Sequence, residues 1–97
     1  MTKTSLAFPQ GFDSYASEVE AKGWFAEAKL VLSGKQHRLT FYDPVRLGQE
    51  IEDQLQRGTA FFEPNLVVIP SVTRENMEKA VDILIQSGGV DSLSVEQ

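Results

Sequence analysis

Residues 58–81 read GTAFFEPNLVVIPSVTRENMEKAV, and Pro64 decides how this stretch folds. Without it, the apolar residues from Phe61 to Ile69 would make one strand. With it, a turn is the better reading. Proline presets φ at the second turn residue, and Asn65 accepts the left-handed conformation at the third. "TAFF" then becomes a strand leaving one helix, "LVVI" a strand entering the next, and the two are expected to pair antiparallel. The alternative is one continuous strand with a bulge at Pro64, because proline is tolerated on a sheet edge.

The helices on either side carry clear punctuation. Asp43 can accept from the free N–H groups of a first turn, and Pro44 suits the first helical position, where an N–H would be unpaired anyway. Leu47, Ile51 and Leu55 recur at four-residue spacing before Gly58 stops the helix. Thr73 caps the second helix, and Val72 before the cap faces Met77 as a hydrophobic staple. Met77, Val81, Leu84 and Ile85 form its stripe, and Gly88-Gly89 ends it. The two units share one plan, cap falling on cap and glycine on glycine at a constant offset, although two copies are too few for a solenoid.

Upstream of Asp43 the period changes from helix to strand. Trp24, Ala26, Ala28, Leu30 and Leu32 alternate with Phe25, Glu27, Lys29 and Val31, which predicts a half-buried strand over 24–32. A glycine turn at "SGKQ" and renewed alternation in "HRLTFY" complete a hairpin. A short helix precedes it, with Asp13 or Ser14 as cap and Gly23 as stop. Residues 1–11 read as a loose tail, and residues 91–97 as a marginal one in which "SLSV" alternates weakly.

These elements make a single α+β domain over 1–97. The expectation is an antiparallel sheet of four or five strands with two long helices on one face and a short N-terminal helix. The order β-α-β, turn, β-α-β resembles the split βαβ plan of ferredoxin-like domains, in topology only. Strand 24–32 is expected to lie at an edge. Such a fold hosts unrelated activities and does not name one.

Ninety-seven residues, 41% hydrophobic and 24% charged, suffice for one modest core. With no cysteine there is no disulfide framework, thiolate site or thiol nucleophile, and a cytoplasmic location is the default expectation. No stretch approaches the length of an apolar membrane span. A net charge of −5 disfavours both nucleic acid and anionic membranes as partners.

Candidate chemistry is sparse. His37 is the sole histidine, between basic neighbours on a turn, where exposure is the simplest expectation. No serine elbow accompanies it. Glu50, Glu52 and Asp53 read as the solvated back of a helix rather than a metal site, and no cofactor is expected. Lys29, Lys35, His37, Arg38 and Tyr42 form the one stretch resembling a nucleic-acid patch, but the aromatic signature of an RNA-binding sheet is missing. The adjacent aromatics are more informative. Neighbours in a strand point to opposite faces, so one each of Trp24/Phe25 and Phe61/Phe62 should leave the core. With Val31, they mark a possible interface on the open sheet face or its edge. The reading is a non-enzymatic interaction or regulatory module that binds a protein partner or forms a homodimer. A small-ligand regulatory domain and a nucleic-acid binder are the alternatives. On this reading Phe25→Glu would lower the solution mass to one chain without unfolding it.

The helical stripe carries its own test. Val81→Asp should remove several kcal/mol, comparable with the whole stability of a small domain. Glu78→Ala, on the polar side, should change stability by less than about 1 kcal/mol. Urea denaturation of both variants checks the face assignment.

Overall fold

The computed structural model describes residues 5–58 and 60–95. The hairpin is where the alternation places it: β2 spans Trp24–Leu32 and β3 spans Lys35–Tyr42. Ser33 and Gly34 join them with φ of 53° and 77°. Two successive positive φ values are the signature of a tight turn whose twist matches that of the strands.

The register contains one irregularity. Phe25 faces Phe41 and Ala28 faces Leu39, so β2 uses one residue more than β3 over this interval. This β-bulge shifts the phase of β2. Phe25, Ala28 and Leu30 are consequently all buried, although strict alternation would put Phe25 opposite the other two.

Two further strands complete a mixed sheet in the order β1-β2-β3-β4. β1 is Ser5–Ala7, antiparallel to β2, with Leu6 opposite Leu30. It corrects two expectations: the end of the supposed loose N-terminal tail is a strand, and β2 is interior. β4 is Leu66–Val68, parallel to β3, with Val67 opposite Phe41. The sheet is therefore not purely antiparallel, and a ferredoxin-like plan is not established.

The segment around Pro64 is half as expected. Pro64 and Asn65 do form a turn, with Asn65 at φ 56°. Residues 60–63 form no strand, however, and Thr59 lies outside the described residues. The partner of "LVV" is β3. The Thr40 N–H donates to the Asn65 carbonyl at 3.1 Å, and the Ile69 N–H to the Tyr42 carbonyl at 2.9 Å. The turn thus delivers the chain directly into a parallel ladder.

Among the described residues three α-helices accompany the sheet: α1 at Ala16–Lys22, α2 at Pro44–Gln56 and α3 at Arg74–Ser87. Asp43 accepts from the Arg46 N–H at 2.7 Å, and Thr73 from the Asn76 N–H at 3.1 Å, so both caps hold as read. Met77 and Val81 of α3 enter the buried cluster with Phe12, Phe25, Leu39 and Phe41. α2 behaves differently. None of its residues is buried, and Leu47, Ile51 and Leu55 are absent from the apolar cluster. The expected placement of both long helices over one common core is therefore corrected. At the C-terminus a 3₁₀ turn, Gly89–Ser92, leads to Leu93, which packs against the core. Residues 92–95 form no strand, and 96–97 lie outside the described residues.

Gly23 ties the first helix to the second. Its φ is 71°, its carbonyl accepts from the Asp43 N–H at 2.9 Å, and an added Cβ would lie 2.7 Å from the Asp43 Cγ. Gly34 has a similar φ of 77° but open space around it. Gly34→Ala should therefore cost about 1–2 kcal/mol, the left-handed penalty alone. Gly23→Ala should cost about 1–3 kcal/mol more, from steric conflict with the carboxylate that caps α2. Paired chemical denaturation curves check the difference.

Candidate interaction surface

The face of the sheet opposite the buried cluster begins with a row set by register: Trp24 beside Tyr42 and Tyr42 beside Val68. Tyr42 is buried beneath its neighbours, whereas Trp24 is 39% and Val68 48% exposed. Burial raises the Tyr42 phenol above its usual pKa, and the charges of Glu50 and Glu63 add to this. The Arg46 guanidinium and a hydrogen bond from the Trp24 indole N–H act in the opposite sense. Arg46 and Glu50 belong to α2, so these charges place the start of that helix by the Tyr42 end of the sheet. Glu63 brings the connection before β4 to the same end.

Other exposed apolar side chains lie on α2 and on the connection to β4. Leu55 is 57% exposed on α2, Val45 is exposed in its first turn, and Phe62 is 83% exposed on the connection to β4. Phe61 is half-buried. Phe25 is not part of this surface. The bulge turns it inward, where its ring centroid lies 5.1 Å from that of Phe12 and 6.3 Å from that of Phe8. The expectation that Phe25→Glu leaves the monomer folded is accordingly withdrawn. Val31 is half-buried, on the open face, next to β1.

Only two of the basic residues of the hairpin come together. Lys29 and Arg38 are directly opposite each other on the open face, and both are engaged in interactions of their own. Lys35 is exposed at the start of β3. Tyr42 is too buried to stack on a base. His37 lies on the core side of β3, in phase with Leu39 and Phe41, and is only 6% exposed. Its Nδ1 is 3.1 Å from the Ser94 carbonyl oxygen, an acceptor, so Nδ1 carries the proton. The expectation of an exposed turn histidine is corrected by that alternation.

Two of the α2 carboxylates are surface ion-pair partners, and Glu52 accepts from the Gln56 side-chain amide at 3.4 Å. Glu50 is 3.6 Å from Arg46 and Asp53 is 3.0 Å from Arg57, each one helical turn apart. Among the described residues no three metal-ligating side chains cluster, and no helix is long and apolar enough to cross a membrane. A mainly apolar groove of about 410 Å³ runs between β4 and α3, lined by Val67, Ile69, Ala80 and Ile83 among others. Its polar groups are already engaged: Lys79 with Glu75 at 3.1 Å, and the Asn76 amide with the Ser71 carbonyl at 3.0 Å. In comparisons with known protein families, curated proteins and solved structures, the chain matches none.

Sequence reasoning missed the second role of Asn65, which ties two distant segments of the chain together. Beyond forming its turn, its side-chain amide contacts both Arg38 and Ser94. Asparagine at a left-handed position was the available signal, because that backbone leaves the amide free to reach a neighbouring segment.

Proposed function

We propose that the protein is a non-catalytic interaction module that self-associates through the Trp24–Val68 end of its open sheet face and the adjoining surface of α2. The observation that supports this reading is the state of α2: a 13-residue amphipathic helix with no buried residue. Helices of this length are marginal in water and draw their stability from packing an apolar face. Here Leu47 and Ile51 are half-buried and Leu55 is exposed, and the open sheet face carries an exposed tryptophan and valine. A two-fold contact would place the same apolar patch of each copy against the other.

The rival readings have less support. A ligand domain would want polar groups converging on the groove beside α3, and those present are occupied by neighbours. A nucleic-acid surface would want stacking aromatics among its cations, and Tyr42 is buried.

Sedimentation measurements across a concentration series test the proposal. The wild type should reach the mass of two chains below about 1 mM, and Leu55→Glu should return it to one chain with an unchanged circular dichroism spectrum. A wild type that keeps the mass of one chain throughout contradicts self-association.

A further inference from the structure

Ser94 is held in an unusual way. Its N–H donates to Asn65 Oδ1 at 2.7 Å, and its carbonyl accepts from Asn65 Nδ2 at 2.9 Å. The His37 Nδ1–H supplies a second donor to the same carbonyl at 3.1 Å. Both backbone polar groups of one residue are therefore satisfied by side chains, as a neighbouring strand would satisfy them with backbone. The clamp is itself anchored, because Asn65 Nδ2 also donates to the Arg38 carbonyl at 3.0 Å.

We propose that Asn65 and His37 form a receptor for an extended peptide backbone. In the free protein its occupant is the chain's own Leu93–Val95 segment, which competes with an extended segment of a partner protein. Three features support this. Leu93 is extended, at φ −75° and ψ 141°, and the segment joins no strand ladder, so a few side-chain bonds, one backbone bond from the Leu93 N–H to the Val90 carbonyl at 3.2 Å and the packing of Leu93 hold it. These hydrogen bonds to Ser94 are made through its backbone, so they require no polar group on the side chain of a replacement residue. Open space of about 370 Å³ by Thr40, Pro64 and Asn65, and of about 270 Å³ by Leu32, His37 and Val90, lies on either side of Val95, which borders both. The resident segment thus leaves room beside it for a longer or bulkier occupant. The matching ligand is an extended tripeptide with apolar residues flanking a small one, the pattern of Leu93-Ser94-Val95.

This inference is independent of self-association at α2, and its test uses the whole 97-residue chain. The probe is a fluorescein-labelled synthetic peptide, VDSLSVEQ, followed by anisotropy. In Ser94→Pro the resident N–H is removed and the ring meets Asn65 Oδ1, which ejects the segment. This variant should bind the peptide at least about tenfold more tightly than the wild type, whose tethered segment competes at high effective concentration. Adding Asn65→Gly, which keeps the left-handed backbone and deletes the amide, should abolish that gain. A folded Ser94→Pro with no saturable binding, or binding indifferent to Asn65→Gly, would overturn the proposal. Amide hydrogen exchange on the wild type provides a check that requires no variant to fold. The Ser94 amide should exchange at least about 100-fold faster than that of Phe41, reporting local release. Equal protection of the two would show a fixed structural tie and overturn displacement.

Discussion

The extra residue in β2 between Phe25 and Ala28 governs how the rest of the molecule is divided between inside and outside. It places Phe25 on the same side as Ala28 and Leu30, where it meets Phe12. Phe12 in turn lies 4.8 Å from Phe8 and 5.5 Å from Tyr15, so one aromatic cluster joins the start of the chain to the central hairpin. Arg74 stacks its guanidinium 4.2 Å from the Phe8 centroid and pairs with Asp13 at 3.2 Å, which fixes the first turn of α3 to that cluster. Cation–π contacts at such partly exposed sites are worth about 0.5–1 kcal/mol, so the apolar burial dominates and Arg74 sets orientation. The same bulge leaves Trp24 outside, beside Tyr42, and thereby creates the surface on which self-association is proposed.

The prolines flanking β4 have a related physical role. Asn65 and Ile69 direct backbone groups to β3, so alternation turns those of Leu66 and Val68 to the free edge. Pro64 and Pro70 bracket this short edge and offer no N–H for its extension. Proline and brevity are common protections against uncontrolled strand addition. Pro64 therefore has two effects: it sets the turn that presents Asn65, and it limits the edge. An apolar contact at α2 is consistent with a sheet whose β4 edge resists pairing.

What could be read from the sequence was local. Asp43, Thr73, Gly23 and Gly88 act within one helical turn, and Ser33-Gly34 closes a hairpin between neighbouring strands, so residue type alone predicts them. The pairing of β4 with β3 depends on how a helix-length crossover returns, which the turn at Pro64 does not specify. β1 shows three residues among those described, too few to show a period. The bulge left no signature because Phe25, Glu27 and Lys29 alternate as a regular strand would. His37 was legible, since it shares the phase of Leu39 and Phe41, but its charged neighbours suggested exposure instead. For the candidate surface, the sequence indicated one outward aromatic in each of the pairs Trp24/Phe25 and Phe61/Phe62, but unbulged alternation pointed to Phe25 where the structure exposes Trp24, and the incomplete burial of α2 depends on long-range packing.

The division made by the bulge can be measured by comparing the unfolding free energies of Phe25→Glu and Trp24→Glu in urea. Phe25→Glu should lose about 3–5 kcal/mol or fail to fold, because it puts an unpaired carboxylate in the aromatic cluster. Trp24→Glu, at a residue already 39% exposed, should lose less than about 1.5 kcal/mol. The reverse order, or equal losses, would contradict the account, since β2 would then be in the unbulged phase.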